Sequence, residues 1–293
     1  MTMSSADSGV IFRPGVPPET TDWPGPEPSV GVDGDMRIER NVTAPMRDGK
    51  LLRVDVYRPD GAQTPLPVLI AWAPYGKHGA LDWSNWPGSG VDVDALSPYT
   101  AFETPDPVYW VGQGYAVILA DARGTWGSEG NVTMFAPDEV EACCDLIEWV
   151  GEQEWSNGKV GMAGVSWYAA IQWGVAARRP RHLAAINPWE GFSDLYYEVF
   201  THGGIPETQF GPLIGFTHDE VEDMAANAAA HPFYDEYWAS KAAVLEDIDV
   251  PAYVVASWTD HGLHTRGTLE AFRRMSSAHK WLEVHGRKKW EYF

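Results

Sequence analysis

A serine, an aspartate and a histidine occur in this chain in an order that suits acyl transfer to water. Ser166 follows an apolar run that breaks at a glycine. Asp260 comes shortly after an apolar run that ends at Ala256, and His285 comes directly after one that ends at Val284. A serine hydroxyl becomes a nucleophile when a histidine accepts its proton and a carboxylate orients that histidine. The three residues therefore predict a nucleophile, an acid and a base.

The stretch 159–168 reads as a strand, a sharp turn and the start of a helix. Small residues at Gly161, Ala163 and Gly164 leave room for a backbone forced through a tight turn that would expose the Ser166 hydroxyl. The usual pattern is G-x-S-x-G, and here the last position is Tyr168. A bare G-x-S is common by chance, and its plain interpretation is an ordinary strand-to-helix turn.

The other chain positions that could supply the acid or the base are less suitable. His261 and His264 share the loop or helix of Asp260 and would have to fold back on their own strand. His279 begins the last predicted strand, at the wrong end of the sheet. Asp121 precedes the turn and would break the order Ser…Asp…His of α/β-hydrolases, so we interpret it as structural. A carboxylate after a strand is often a helix cap, and a histidine near a chain end is often on the surface, so both assignments remain hypotheses.

A tetrahedral intermediate also needs hydrogen-bond donors for its oxyanion. The backbone N–H of Trp167, at the start of the helix, is one predicted donor. A second donor should come from the loop after the apolar run 67–73, where Tyr75 lies.

The elements that would position these residues alternate between strands and helices. Continuous apolar runs at 67–73, 115–120 and 182–188 are typical of strands covered on both faces. Helical patterns lie between them, and further strands are predicted at 250–256 and 280–284. The alternation predicts a doubly wound α/β fold with a mostly parallel sheet, and the order Ser…Asp…His is the one found in the α/β-hydrolase fold.

The chain divides into four predicted parts. Residues 1–36 form an arm or disordered leader rich in proline and glycine, and 37–189 form the first part of the α/β core, starting with a β-hairpin that has one solvated face. Residues 190–248 interrupt the alternation with helical, aromatic-rich sequence, which we interpret as an inserted helical cap. Residues 249–293 complete the core, and the loop 78–107 is long enough to be functional or disordered.

Composition excludes several classes of function. The formal charge of −20 over 293 residues opposes binding to nucleic acid or to anionic membranes. The first residues do not resemble a signal peptide, and no apolar run is long enough for a membrane span. Cys143 and Cys144 are adjacent and fit a reducing compartment. We therefore expect a soluble cytoplasmic protein with a small-molecule substrate, without a metal or organic cofactor, and of undetermined oligomeric state.

Several motifs in their order along the chain resemble the CocE/NonD serine hydrolases, which are related to X-Pro dipeptidyl-peptidases, cocaine esterase and α-amino-acid ester hydrolases. The resemblance covers about residues 36 to 293. The motifs are Arg47-Asp48-Gly49, Asp55-Val56-Tyr57-Arg58-Pro59, Pro74-Tyr75-Gly76-Lys77, Asp121 to Gly130, Gly164-Val165-Ser166-Trp167-Tyr168 and Ser257-Trp258-Thr259-Asp260.

The resemblance implies a role for each candidate residue. Ser166 would be the nucleophile, Asp260 the acid and His285 the base, and the Tyr75 hydroxyl would join the Trp167 amide in the oxyanion hole. Members of the family usually continue past the histidine with a closing helix and a C-terminal jelly roll, so the resemblance also implies that this core is truncated. A non-catalytic remnant of such a hydrolase, and an enzyme that removes dipeptides ending in proline, therefore stay open as alternatives.

Substrate contacts are expected from aromatic residues in the long loop and the cap, although most such residues in any protein are core. The candidates are Trp83, Trp86, Trp110, Trp189, Tyr196, Tyr197 and Phe200. Asp194, Glu190 and Glu198 could hold a cationic amine, as carboxylates do in the amino-ester branch, or could form a solvated face. The choice between an ester and an amide stays open.

Overall fold

The computed structural model describes residues 9–21, 23–78, 83, 86–207 and 216–291. The strands are β1 (Phe12–Pro14), β2 (Ser29–Asp33), β3 (Met36–Pro45), β4 (Leu51–Pro59), β5 (Leu66–Ala73), β6 (Ala116–Asp121), β7 (Ser156–Val165), β8 (Leu183–Trp189), β9 (Thr201–His202), β10 (Ile205–Pro206), β11 (Glu220–Glu222), β12 (Ala252–Ser257) and β13 (Lys280–His285). The α-helices are α1 (Pro107–Gly112), α2 (Pro137–Gly151), α3 (Trp167–Ala177), α4 (Met224–Ala230), α5 (Glu236–Lys241) and α6 (Thr265–Arg274).

Nine strands of the described chain form the central sheet, in the order β13-β12-β8-β7-β5-β6-β4-β3-β2. The six strands from β13 to β6 are parallel to one another. All six residues of β6 are buried, as expected of a strand covered on both faces. Helices α2 and α3 pack on β7, and α6 packs on β12. The carboxyl ends of β5, β7, β8, β12 and β13 consequently meet at one edge of the sheet.

The other side of the sheet is antiparallel. Strands β3 and β4 form the hairpin predicted for residues 36–58, with a turn in which the Met46 N–H donates to the Lys50 carbonyl at 2.9 Å. Strand β4 also pairs with β6, so most of it is buried and the predicted solvated face is not found there. Strand β2 is an exposed edge strand beside β3.

The N-terminal arm and the inserted segment are built differently from the sequence prediction. Residues 12–14 of the arm pair antiparallel with β11 of the insertion, and 29–33 join the central sheet. The insertion contains a π-helical turn at Tyr196–Phe200 and the short hairpin β9–β10, besides α4 and α5. Two glycines with positive φ, Gly203 and Gly204, make the hairpin turn and prevent a continuous helix. Residues 1–8 of the predicted arm and 208–215 of the predicted cap lie outside the described residues.

The hydrophobic core lies between the sheet and the helices. Its largest fully buried side chains include Trp72, Ile70, Ile118, Leu146, Ile147 and Met162. Each side chain of this size contributes roughly 1.5–3 kcal/mol when it is removed from water. Among the helices of the described residues, none has the length and apolar character needed to cross a membrane.

Candidate active site

Ser166 lies on the turn between the end of β7 at Val165 and the start of α3 at Trp167. Its φ of 63° and ψ of −114° are backbone angles that an L-residue adopts only when the surrounding structure holds it there. Gly164 permits the turn, because a Cβ at this position would lie 2.3 Å from the Cβ of Tyr168. The strained turn therefore places Ser166 at the carboxyl edge of the parallel strands.

A histidine and an aspartate extend from Ser166 in one hydrogen-bonded row. Ser166 Oγ lies 3.2 Å from His264 Nε2, and His264 Nδ1 lies 2.5 Å from Asp260 Oδ2. Asp260 ends a 3₁₀ turn, Trp258–Asp260, that follows β12, and the His264 N–H donates to the Asp260 carbonyl at 3.1 Å. Side chains four residues apart on a helical turn share one face. The row has the order that a nucleophile, a base and an orienting acid require.

The imidazole in this row is not the one expected from the sequence. His285, the predicted base, ends β13 in register with Ser257, and its Nε2 lies 3.8 Å from Glu190 Oε1. The sequence argument against His264 was that it would have to fold back on its own strand. The structure shows that it does so, because a 3₁₀ turn followed by α6 reverses the chain within four residues. The i, i+4 spacing of Asp260 and His264 is the sequence signal that could have found the pair.

Burial determines the protonation of the row. His264 is fully buried, and burial together with the charge of Lys289 lowers its pKa to about 4. Burial alone would raise the pKa of Asp260, but the hydrogen bond and charge of His264 and the charge of Lys289 bring it below its usual range. At neutral pH the imidazole is therefore neutral, with a proton on Nδ1 facing Asp260 and a lone pair on Nε2 facing Ser166.

Tyr75 and Trp167, the predicted oxyanion donors, both lie beside Ser166. The Tyr75 hydroxyl and the Ser166 side chain are hydrogen-bonded. Burial, followed by the charge of Glu103, raises the pKa of Tyr75, so its hydroxyl keeps its proton. The Tyr75 ring packs at 6.4 Å from the Trp167 ring and 5.7 Å from the Phe102 ring. The hydroxyl and the Trp167 N–H at the start of α3 can both donate to one negative oxygen.

A buried ion pair holds the turn that carries Tyr75. Lys77 Nζ lies 2.7 Å from Asp121 Oδ2 and 2.8 Å from Asn41 Oδ1, and the Lys77 N–H donates to Asp121 Oδ1 at 3.1 Å. Gly76 has φ of 90°, and a Cβ there would lie 2.8 Å from the Trp126 indole. Asp121 therefore has a structural contact, as the sequence interpretation proposed, and joins the end of β6 to the loop after β5.

A buried carboxyl holds the residue after the nucleophile. Glu139 of α2 accepts hydrogen bonds from the Trp167 indole at 2.9 Å, the Trp72 indole at 3.1 Å and the Phe135 N–H at 2.7 Å. Burial raises the pKa of Glu139 to about 7 despite these three donors. At the start of α2, Asp138 accepts a hydrogen bond from the Thr133 hydroxyl at 2.8 Å.

Sequence reasoning missed two further charged groups near Asp260, Glu103 and Lys289. The Lys289 ammonium lies 3.3 Å from Glu103 Oε1 and 3.9 Å from Asp260 Oδ2. Glu190 is fully buried at the end of β8, and burial together with the charge of Asp260 raises its pKa to about 8. No local sequence pattern marks these residues, because elements far apart in the chain bring them together.

The aromatic residues predicted to contact the substrate lie in separate parts of the structure. Trp83 and Trp86 pack on Phe102 and Trp290, close to Tyr75. The Trp189 carbonyl accepts the Ser166 N–H at 3.1 Å, so this residue supports the nucleophile turn.

The remaining candidates lie in other clusters. Tyr196 and Phe200 pack on Trp238, and Trp110 packs between Tyr109 and Tyr115. These three residues are part of packed clusters and none of their described ring contacts involves the row.

Asp194 and Tyr197 border a different cleft from the hydrogen-bonded row. This cleft has a volume of about 520 Å³, and its described lining includes Tyr234, Arg266 and Arg274 but none of the three residues of the row. Asp194 accepts the Tyr197 N–H at 3.0 Å, so it caps the π-helical turn. Glu198 likewise has partners within the chain, since its carboxylate accepts the Ser193 N–H at 2.7 Å and pairs with the Arg266 guanidinium at 3.0 Å.

One group of potential metal ligands occurs in the described part of the chain. Glu148, Glu152 and His182 have ligand atoms within 4.8 Å of one another. The Arg181 guanidinium lies 2.6 Å from Glu148 and 3.0 Å from Glu152. An arginine therefore already neutralises these carboxylates, and none of the three residues belongs to the row.

Comparisons with known proteins agree with this architecture. The family model described as X-Pro dipeptidyl-peptidase (S15 family) matches residues 48–219, which is more than half of the chain. A crystal structure of a CocE/NonD family hydrolase from Staphylococcus aureus superposes with a TM-score of 0.81 and 37% identity, and covers 88% of this chain and 47% of that one. The α/β-hydrolase fold and the resemblance to CocE/NonD hydrolases are confirmed.

Curated relatives are similar over part of their length. Cocaine esterase from Rhodococcus sp. (strain MB1 Bresler) is 38% identical over 165 residues, which are 56% of this chain and 25% of the relative. A putative Xaa-Pro dipeptidyl-peptidase from Bacillus anthracis is 32% identical over 200 residues, which are 61% of this chain and 32% of the relative. The similarity thus spans a quarter to a third of these relatives.

Proposed function

This chain belongs to the S15 family of X-Pro dipeptidyl-peptidases, and we propose that it hydrolyses a carboxylic ester or amide through an acyl-enzyme on Ser166. The observation that carries the proposal is the hydrogen-bonded row Ser166–His264–Asp260 at the strained turn after β7. A serine hydroxyl within 3.2 Å of a neutral imidazole is the arrangement that acyl transfer through serine requires, and the strained turn holds the hydroxyl in this position.

Acylation begins with proton transfer to His264. Its Nε2 accepts the proton of Ser166 as the Oγ forms a bond to the carbonyl carbon of the substrate. The carbonyl oxygen becomes negative and accepts hydrogen bonds from the Trp167 N–H and the Tyr75 hydroxyl. The bond to the leaving group then breaks, and the leaving alcohol or amine takes the proton from His264.

Deacylation repeats these steps with water. His264 accepts a proton from a water molecule whose oxygen attacks the acyl carbon, and the same two donors hold the second oxyanion. The bond between the acyl carbon and Ser166 Oγ breaks, and His264 returns the proton to that oxygen. Asp260 stabilises the imidazolium in both halves and keeps the Nδ1 tautomer.

A specific observation favours removal of X-Pro dipeptides as the second candidate. A dipeptidyl-peptidase must hold the charged amino terminus of its peptide. Glu190 is fully buried near Asp260, and within the described chain neither of its carboxylate oxygens accepts a hydrogen bond. Burial raises the pKa of Glu190 to about 8, and an ammonium group of the substrate beside it would favour its ionised form and pair with it.

Two substrates distinguish the candidates. If the enzyme acts on peptides, it cleaves Gly-Pro anilide, and Glu190→Gln lowers kcat/KM for the anilide by about tenfold or more while nitrophenyl acetate changes little. Cleavage of the nitrophenyl ester with no cleavage of the anilide would remove the peptidase candidate.

Labelling with a fluorophosphonate tests the hydrolase proposal without knowledge of the substrate. We expect the probe to modify Ser166, as located by peptide mass spectrometry, and the modification to disappear in Ser166→Ala and His264→Ala. The matched variant His285→Ala should still be labelled. Loss of labelling in His285→Ala with retention in His264→Ala would instead restore the sequence-based assignment of the base.

The alternative from another class is a chain that keeps the fold and binds without turnover. A folded wild-type chain that takes up no fluorophosphonate would contradict the hydrolase proposal and favour this binding protein. Thermal unfolding of the same samples establishes that the chain is folded.

A further inference from the structure

Lys289 lies between the buried carboxyl group of Glu103 and the partly buried carboxyl group of Asp260, the acid of the hydrogen-bonded row. Its side chain is only 13% exposed, and its ammonium approaches Glu103 at 3.3 Å and Asp260 at 3.9 Å. A buried ammonium is costly unless it is paired. Asp260 is already bound to His264, so Lys289 adds a second positive group to the acid of the row.

Glu103 and Trp290 hold Lys289 in this position. The Trp290 indole donates to Glu103 Oε1 at 2.5 Å, and the ammonium lies 4.9 Å from the centre of the Trp290 ring. Trp290 packs on Trp83 and Trp86, with ring centres at 5.6 and 5.4 Å. The segment after β13 is therefore anchored over the loop that follows β5.

Glu103 is itself tied to the nucleophile strand. It has φ of 63°, an unusual backbone angle for a glutamate, and its carbonyl accepts the Val165 N–H at 3.3 Å. Its carboxyl is almost fully buried, and burial raises its pKa while Lys289 and Trp290 oppose that effect. A displacement of Lys289 would therefore change the electrostatic surroundings of both Glu103 and Asp260.

We propose that Lys289 is a positioning residue of the hydrolytic site, which fixes the Asp260 carboxylate against His264. It also sets the lowest pH at which the His264 imidazole is neutral and can accept the proton of Ser166. The proposal rests on the proposed function. Among the described residues, the charged and titratable groups around Asp260 and His264 are Glu103, Glu190, His261, His285 and Lys289, and of these Lys289 carries the ammonium group.

The sign of the effect follows from the electrostatics. The positive charge of Lys289 disfavours the imidazolium form of His264 and favours the carboxylate form of Asp260. Removing that charge makes the imidazole easier to protonate, so the base is lost at a higher pH. The acidic limb of the pH profile should move upward in Lys289→Met, and a rise of one unit from the pKa of about 4 would lower the reaction rate about twofold at pH 5 and about fivefold at pH 4.

The test measures the rate of fluorophosphonate labelling of Ser166 between pH 4 and 8 in the full chain. Lys289→Met should shift the acidic limb upward, and Lys289→Arg should restore the wild-type profile. Lys288→Met is the matched control, because Lys288 is exposed and has no described contact with Asp260. Lys289→Gln provides the same comparison if Lys289→Met does not fold.

If Lys289 had a purely structural role, its replacement would lower the labelling rate by the same factor at every pH and leave the acidic limb of the pH profile in place. That result would overturn the proposal. NMR titration of the His264 imidazole in the same variants separates this failure from failure of the proposed function. A labelled protein whose His264 titration is unchanged in Lys289→Met contradicts the role of Lys289. An upward shift of that titration supports the effect of Lys289 on His264, whereas a folded wild-type chain that takes up no probe contradicts the hydrolase proposal.

Discussion

At the scale of single residues, the reactivity of Ser166 depends on which neighbours keep or lose a proton. The low pKa of His264, about 4, leaves the imidazole of this proposed base neutral over the whole physiological range. The raised pKa of Tyr75 keeps a hydroxyl donor beside the same oxygen. Burial causes both effects, since it disfavours the charged form of each group. The same buried surroundings therefore keep a proton acceptor, the His264 imidazole, and a hydrogen-bond donor, the Tyr75 hydroxyl, next to Ser166.

The Tyr75 hydroxyl can be removed alone. We expect Tyr75→Phe to lower kcat about 10²- to 10³-fold with little change in KM, because the hydroxyl binds the oxyanion more strongly than the neutral carbonyl. Steady-state kinetics with a nitrophenyl ester measures both constants. Tyr57→Phe is the matched control, since the Tyr57 hydroxyl is also buried but donates to Asp55 at 3.4 Å. Equal losses in the two variants would mean that Tyr75 acts through packing.

At the scale of elements, the site depends on how β7 turns into α3. The Ser166 carbonyl accepts the N–H groups of Ala169 and Ala170 at 3.0 and 2.8 Å, so the first turn of α3 begins at the nucleophile. Gly191, after β8, approaches so closely that a Cβ there would lie 2.9 Å from the Ala169 Cβ. The turn is therefore held by its own helix and by the neighbouring strand, which together offset its backbone strain.

A methyl group at Gly164 should break this arrangement. Gly164→Ala places a Cβ 2.3 Å from the Tyr168 Cβ at φ of 140°, so we expect a loss of roughly 3 kcal/mol or more in the free energy of unfolding and no labelling of Ser166. Urea unfolding measures the first effect. Gly112→Ala, near the end of α1 in open space, should stay within about 1 kcal/mol of wild type. Similar losses at both positions would contradict the account of the turn.

The elements that could be predicted from the sequence are those with local signals. The buried strands, the turn at Ser166 and helix α6 have apolar runs, glycines and periodicity that belong to their own segments. The pairing of residues 12–14 with 220–222 joins segments some two hundred positions apart, and no local pattern reports it. The pairing of His264, rather than His285, with Ser166 was missed for a different reason, because a local signal for it, the i, i+4 spacing of Asp260 and His264, is present in the sequence.

At the scale of the whole molecule, the chain combines a strongly acidic composition with a core that contains several ionisable side chains. Its 41 acidic residues exceed its 21 basic ones, yet Glu103, Glu139 and Glu190 are almost fully buried. Buried carboxyls of this kind are most easily accommodated when they carry a proton. The stability of the fold should consequently depend on pH in a way that exposed carboxyls do not cause.

The direction of that dependence can be derived from two groups. Glu139 and Glu190 ionise with a pKa of about 7 and about 8 in the folded chain, against an ordinary value of 4.5. The folded state then holds more protons than the unfolded state, so stability that is full below pH 4.5 is lost as pH rises through the folded values. His264 acts oppositely, because stability is lost as pH falls from 6.5 to about 4.

We therefore expect the free energy of unfolding to be lower at pH 8.5 than at pH 6, with roughly 4 kcal/mol of the difference due to Glu139 and Glu190. Urea unfolding at the two pH values measures the difference. It should shrink in Glu139→Gln and in Glu190→Gln, which cannot ionise, and persist in Glu154→Gln, an exposed carboxyl. An unchanged pH dependence in both buried variants would mean that these carboxyls ionise in the folded chain at the same pH as in the unfolded one, and would contradict this prediction.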